Sequence, residues 1–204
     1  MNNLIDRAFI IHSKTFGETS VIFEFLTEEN GLISAILKGA KRRKDISQLQ
    51  LSKELIINTS RANLPLLLKY ELSKSYVIKR DYLLLVIYFN ELIYRLVPRS
   101  QPQKTLFDFY RNYISYMSTT QDHQDSVIIG FEILMLKNLG YAVSSEVPIN
   151  SIDENDVFYY DNLRGFKRAS DYHKGNKITG KDLKLLLNFD INSIQEKKAL
   201  RMIT

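Results

Sequence analysis

The chain has 204 residues, of which 45% are hydrophobic and 25% are charged, as is ordinary for a globular protein with a buried core. It has no cysteine, which excludes disulfides, thiolate zinc sites, iron–sulfur clusters and a cysteine nucleophile. The formal charge of +5 arises in the first 80 residues, where thirteen Lys and Arg face eight Asp and Glu, whereas residues 81–204 carry fifteen of each. This asymmetry indicates that the N-terminal part meets an anionic partner.

The first 80 residues have the pattern of short β-strands. Val21, Phe23 and Phe25 alternate with other residues along one segment, and Asn30-Gly31 is a strong signal for a tight turn. The predicted strands are 7–14, 19–27, 32–39, 51–59 and 64–78. Five short strands favour a small barrel, because an open sheet would leave long edges unpaired.

From Asp81 onward the hydrophobic period is helical. We expect helices at 81–97, 105–117, 126–140, from Thr179 to about 188, and at 193–203. Residues 144–177 are irregular apart from a β-hairpin formed by 157–160 and 165–169. The sequence therefore predicts an α+β protein with a barrel domain at 1–80 and a helical domain at 81–204, into which the hairpin region is inserted.

No segment resembles a secretory signal or a membrane span. The most apolar stretch, residues 82–89, is too short to cross a bilayer and reads as a buried helix. We expect a cytoplasmic protein without membrane contact.

Catalytic and metal-binding patterns are missing from the sequence. The histidines His12, His123 and His173 have no metal-ligand spacing, and there is no G-x-S-x-G, H-E-x-x-H or Walker-type motif. We therefore expect no enzymatic activity, no metal and no cofactor.

A basic cluster follows the third predicted strand. Five cations fall within seven positions: Lys38, Lys41, Arg42, Arg43 and Lys44. A solvated loop is one interpretation. We favour phosphate binding, because the strand would hold the cluster rigidly, Gly39 and Ala40 would let backbone approach a phosphate, and small barrels commonly bind single strands.

The aromatic residues of the barrel segments divide into two groups. Phe9, Phe23 and Phe25 lie at strand positions and are expected to fill the core. Phe16 is the exception, because it lies in a connection beside Gly17.

An ordered set of short motifs resembles the RecO family of DNA repair proteins. The motifs are RAFIIHS (7–13), GETS (17–20), FLTEENG (25–31), KGAKR (38–42), YFNELIYRL (88–96), LFDFY (106–110) and FEILMLKNLGY (131–141). The resemblance implies a five-stranded OB-fold, a helical domain and a small intervening module. It also implies a bacterial recombination mediator at the nucleoid rather than an enzyme.

The resemblance implies further partners. Such proteins bind single- and double-stranded DNA and anneal complementary strands coated by single-stranded-DNA-binding protein (SSB). With RecR, and at some junctions RecF, they assist the loading of RecA. We expect the phosphates to contact Arg7 and Lys14 as well as Lys38, Lys41, Arg42, Arg43 and Lys44.

The sequence departs from the family pattern in two places that bear on sites. Many members carry four zinc-binding cysteines in the middle module, whereas residues 144–177 have none, so a zinc-free hairpin is expected. In the family, a pocket of the helical domain takes the SSB tail, and relatives often have arginine there, just before a Phe-Glu pair. This chain has Ile129 and Gly130 at those positions, before Phe131 and Glu132. The residues expected at this pocket are Phe131, Leu134, Lys137 and Arg201.

Several alternatives remain open at this point. Lys137 and Arg201 are equally well explained as exposed helix charges. The barrel could bind RNA, or the protein could be an adaptor that binds only other proteins. The chain also ends inside its last predicted helix, earlier than the family pattern, so part of the usual DNA surface is expected to be missing.

Overall fold

The computed structural model describes residues 3–99, 101–119, 124–141, 144–161, 164–169 and 177–188. The chain divides into two compact units, residues 1–120 and 121–204. The first unit therefore contains two helices in addition to the strands. Residue 80, the predicted domain boundary, marks the change from strand to helix.

Five antiparallel strands form the sheet of the first unit. They are β1 (Leu4–Phe16), β2 (Ser20–Thr27), β3 (Gly31–Leu37), β4 (Lys53–Thr59) and β5 (Leu67–Ser75), in the order β3-β2-β1-β4-β5. Ile36 N donates a hydrogen bond of 2.8 Å to Pro65 O, and Ile36 forms a parallel bridge with Leu66. This link joins β3 to the start of β5 and closes the sheet into the predicted OB-fold barrel.

The barrel interior follows from the alternation of apolar side chains along the strands. Its buried residues include Ala8, Ile10, Phe23, Phe25, Ala35, Leu37, Leu55 and Ile57. Burial of these side chains away from water is the main force that closes the barrel. Phe9, Phe23 and Phe25 are all buried, which confirms their prediction as core residues.

Two helices complete the first unit: α1 (Arg80–Leu96) and α2 (Lys104–Thr119). The Phe9 ring lies on the outer side of the barrel, with its centroid 5.5 Å from that of Phe107 and 5.1 Å from that of Tyr110. Burying an aromatic side chain of this size stabilises the unit by about 2 kcal/mol or more. The predicted helices 81–97 and 105–117 are confirmed.

The outer face of β2 and β3 is covered by the chain that connects α1 to α2. Leu26 and Leu32 face each other across this face and are fully buried. Arg99 Nη1 donates hydrogen bonds to Glu24 Oε2 (2.7 Å) and Ser34 Oγ (3.1 Å). This strand face binds ligands in many OB-folds, and here its residues Glu24, Leu26 and Leu32 are buried.

Gly31 shows how closely this connection approaches the barrel. Its φ of +70° is in the left-handed region, and a Cβ built there would lie 1.9 Å from Gln101 O. Only glycine has both the required conformation and the required space.

The second unit contains α3 (Gln124–Asn138), a three-stranded sheet and a short helix. The strands are β6 (Val157–Asp161), β7 (Gly165–Arg168) and β8 (Lys177–Thr179), in the order β7-β6-β8. The predicted hairpin is confirmed as β6 and β7, whereas β8 was not predicted. Ile152, Phe158 and Leu183 form the small core.

Helix α4 (Gly180–Leu187) begins as predicted, since Thr179 Oγ1 accepts a hydrogen bond of 3.2 Å from Asp182 N. The predicted helix at 193–203 lies outside the described residues. Within the part of the chain that is described, no helix is long and apolar enough to cross a membrane.

Candidate nucleic-acid interface

The basic cluster lies in the connection between β3 and β4, and we call residues 38–44 the basic loop. Its first 3₁₀ turn spans Ala40–Arg42, and a second spans Lys44–Gln48. Gly39 has φ +64°, which reverses the chain direction as the loop leaves β3. Ala40 is fully buried among the barrel core residues. The expectation that Ala40 would open the backbone to a phosphate is therefore wrong, and this residue anchors the loop instead.

Four side chains of the basic loop are exposed and have no ion-pair partner among the described residues: Lys38, Lys41, Arg42 and Lys44. Their charges are therefore not cancelled by neighbouring carboxylates. A short loop with four such cations gives a concentrated positive potential.

Arg43 differs from its neighbours because it is paired. Its Nε and Nη2 atoms donate hydrogen bonds to Asp45 Oδ1 and Oδ2, each of 3.0 Å. The guanidinium also lies 5.2 Å from the ring centroid of Tyr70. The pKa of Asp45 is lowered from 3.8 to about 2, mainly by the hydrogen bonds from Arg43 and to a smaller extent by the interaction with Tyr70. Asp45 raises the pKa of Arg43 in turn.

Lys14 lies at the same end of the barrel as the basic loop. It is opposite Ile22 on β2, which is opposite Ile36 near the end of β3. The turn between β1 and β2 is joined to the loop directly, since Lys41 N donates a hydrogen bond of 3.1 Å to Thr19 O. Barrel topology therefore brings Lys14 toward the cluster.

Arg7 lies far from this end of the barrel. It lies seven positions before Lys14 along β1, which corresponds to about 23 Å at the usual rise of a strand. Its Nε is 3.9 Å from Glu28 Oε2. The structure therefore does not group Arg7 with the basic loop, and its contact with DNA remains a prediction.

Arg61 is a cation that the sequence analysis did not single out. It lies in the connection between β4 and β5, is exposed, and has no ion-pair partner within the described residues. This connection reaches the end of β3 through the hydrogen bond from Ile36 N to Pro65 O. The residues next to Arg61 in the sequence do not indicate that it belongs to a cationic surface. It becomes a candidate only when the strand order of the closed barrel is known.

The residues expected to bind the SSB tail differ in their exposure to solvent, and one of them lies outside the described residues. Phe131 and Leu134 on α3 are buried, and Lys137 is exposed. Arg201 lies outside the described residues. Phe131 and Leu134 contribute to packing in this structure, and the peptide site remains a prediction.

The histidines provide no metal site in the described residues. His12 stacks on Tyr94, with ring centroids 4.7 Å apart. His123 and His173 lie outside the described part. No group of three or more potential ligands was found among the residues that are described.

Two family models together match nearly the whole chain. The model described as Recombination protein O N terminal matches residues 1–76, and the one described as Recombination protein O C terminal matches residues 79–203. The chain belongs to the RecO family. This is a family of DNA repair and recombination proteins, and membership agrees with the barrel followed by helices.

Individual RecO proteins are similar over most of this chain. The DNA repair protein RecO of Coxiella burnetii (strain RSA 493 / Nine Mile phase I) is 30% identical, with 98% of this chain and 90% of the relative covered. That of Hahella chejuensis is also 30% identical, with 78% and 69% covered. That of Salmonella dublin is 28% identical, with 97% and 84% covered.

Proposed function

We propose that this RecO-family protein is a recombination mediator that binds single- and double-stranded DNA through its basic loop. The observation that carries the proposal is the set of exposed cations on a loop anchored by buried Ala40: Lys38, Lys41, Arg42 and Lys44, none with an ion-pair partner in the described chain. Family membership supports the proposal, because the matched models and relatives are named for recombination and DNA repair.

Electrostatics supplies the affinity in this proposal. Each cation that contacts a phosphate releases condensed counterions, so log affinity falls with log salt by about 0.7 per contact on a single strand. Phosphates are the same in every sequence, so this term does not distinguish one sequence from another. Lys14 extends the positive surface at the same end of the barrel, and the connection that carries Arg61 meets the end of β3 at Pro65.

Strand annealing follows from the same charges. Two complementary strands repel each other, and cations fixed beside both backbones reduce that repulsion while the bases pair. The protein then makes and breaks no covalent bond. We propose that it anneals strands coated with SSB and, with RecR and at some junctions RecF, assists RecA loading at the bacterial nucleoid.

The first experiment measures binding of a fluorescent single strand by anisotropy at several salt concentrations. Changing Lys41 and Arg42 together to Ala should weaken binding and make the salt slope shallower by about 1.4, the value for two lost contacts. The matched control changes Lys177 and Lys181 to Ala, which removes the same charge from exposed positions of the second unit. Equal slopes for the two double variants would contradict the proposed site.

The second experiment measures annealing of SSB-coated complementary oligonucleotides. The wild-type protein should accelerate duplex formation, and the Lys41→Ala/Arg42→Ala variant should lose most of this acceleration. If the protein is instead an adaptor that binds only other proteins, it will leave the anisotropy of the labelled strand unchanged at low salt and still bind an SSB tail peptide. An RNA-binding barrel would prefer RNA over DNA of equal length.

A further inference from the structure

Phe16 is an aromatic side chain that the barrel does not bury. It is 49% exposed, whereas Phe9 and Phe25 are fully buried and Phe23 is 5% exposed. Phe16 is the last residue of β1, directly opposite Ser20 of β2. The exposed ring therefore lies at the tip of the hairpin rather than in a core.

The direction in which the Phe16 side chain leaves the backbone is fixed by regular strand pairing. The register of β1 and β2 continues without a break from His12 and Glu24 to Phe16 and Ser20. A phenylalanine has only two side-chain torsions, so once its backbone is held the ring is limited to a few staggered rotamers. A ring presented in this way loses little conformational entropy when a flat partner stacks on it.

Cations lie on the same hairpin as the ring and on the loop that is hydrogen-bonded to it. Lys14 is two residues earlier on β1 and points to the same face of the strand. Across the hairpin turn, Thr19 O accepts the hydrogen bond from Lys41 N, which joins the basic loop to the same tip. An exposed apolar ring on a hairpin that carries Lys14 and is joined to the basic loop matches a ligand that has both flat apolar faces and negative charges.

We propose that Phe16 stacks on an unpaired base of the nucleic acid whose phosphates contact the basic loop. The inference rests on the proposed function and adds to it a preference for single strands. Bases in a duplex already stack on each other on both faces, whereas bases of a single strand expose a face to an aromatic side chain. Stacking is also tolerant of sequence, because every base has such a face.

The sequence offers a direct spectroscopic test, because it contains no tryptophan. Phe16→Trp places a single indole at the hairpin tip, and its fluorescence should be quenched when a base stacks on it. The matched control is Leu84→Trp, which places a single indole at a position of α1 that is 74% exposed. Both variants are titrated with oligo(dT) and with a duplex, while anisotropy of the labelled DNA reports binding independently.

Quenching of Phe16→Trp by oligo(dT), with little quenching by the duplex and none in Leu84→Trp, is the expected result. Binding seen by anisotropy without a change in Phe16→Trp emission overturns the inference and leaves the proposed function intact. Absence of any DNA binding, in the variants and in the wild-type protein, overturns the proposed function and the inference together.

A second measurement separates stacking from charge. Phe16→Ala should lower single-strand affinity about tenfold with the salt slope unchanged, and Phe16→Tyr should restore it. Thermal melting of each variant checks that the barrel is folded. Equal affinity of folded Phe16→Ala and wild-type protein would overturn the inference.

Discussion

The Asp45 carboxylate accepts two parallel hydrogen bonds from the Arg43 guanidinium, beside a loop whose other four cations have no such partner in the described chain. One of the five charges of the basic loop, all of them predicted to bind DNA, is therefore paired within the protein. In the proposed interface, Asp45 therefore reduces the positive charge that the basic loop presents to DNA phosphates.

Replacing Asp45 by Asn should release Arg43 for a phosphate. We expect tighter single-strand binding at low salt and a salt slope steeper by about 0.7, the value for one additional contact. Anisotropy titrations over a salt series measure both quantities. Glu91→Gln is the matched control, because it frees Arg95 from a similar exposed ion pair on α1. A slope that steepens equally in both variants would rule out a specific role for Asp45.

The same pair predicts an unusual titration. Carbon-detected NMR should give Asp45 a pKa of about 2, and Arg43→Ala should return it toward 3.8. Because the folded-state pKa is lowered, the stabilisation by the pair is fully present above the unfolded value near 3.8 and is lost as pH falls through about 2. Titration of Asp45 near 3.8 in the wild-type protein would contradict the pairing.

Gly31 should tolerate substitution much less well than Gly39. Both have a positive φ, so alanine costs about 1–2 kcal/mol of backbone strain at either position. Only at Gly31 does the new Cβ also meet backbone, at Gln101 O, whereas nothing lies within 4 Å at Gly39. Urea denaturation should show a clearly larger loss of unfolding free energy for Gly31→Ala. Similar losses would mean that the connection moves away at little cost.

The contact between Arg99 and Glu24 should stabilise the first unit. Glu24 is 3% exposed, so Arg99→Ala leaves a buried carboxylate whose only remaining hydrogen-bond partner among the described residues is Ser34, at a cost of about 2 kcal/mol. Adding Glu24→Gln to Arg99→Ala should recover part of this loss. Chemical denaturation of both single variants and the double variant gives the coupling energy, and strict additivity would show that the two side chains are not coupled.

Strand and helix positions could be predicted because they depend on local patterns. The alternation through Val21, Phe23 and Phe25 predicted a strand that starts one residue before the observed β2. The capping residue Thr179 predicted where α4 begins. The short strand β8 was missed because three residues carry too little periodicity to recognise.

The details of the candidate interface depend on distant contacts and could not be predicted in the same way. Arg7 and Lys14 belong to one strand, yet the strand length places them at opposite ends of the barrel. Arg99 reaches Glu24 across 75 residues of chain, and the connection that carries Arg61 meets β3 only because the barrel closes. The burial of Ala40 also depends on closure, since the residue lies between charged neighbours.

Ala40 has a consequence for how this surface can change over evolutionary time. The loop is held by the buried Ala40 and by a backbone hydrogen bond from Lys41 N to Thr19 O, so the unpaired side chains of Lys38, Lys41, Arg42 and Lys44 can be exchanged or lost with little effect on folding. The affinity for a polynucleotide and the thermal stability of the barrel can then change independently of each other.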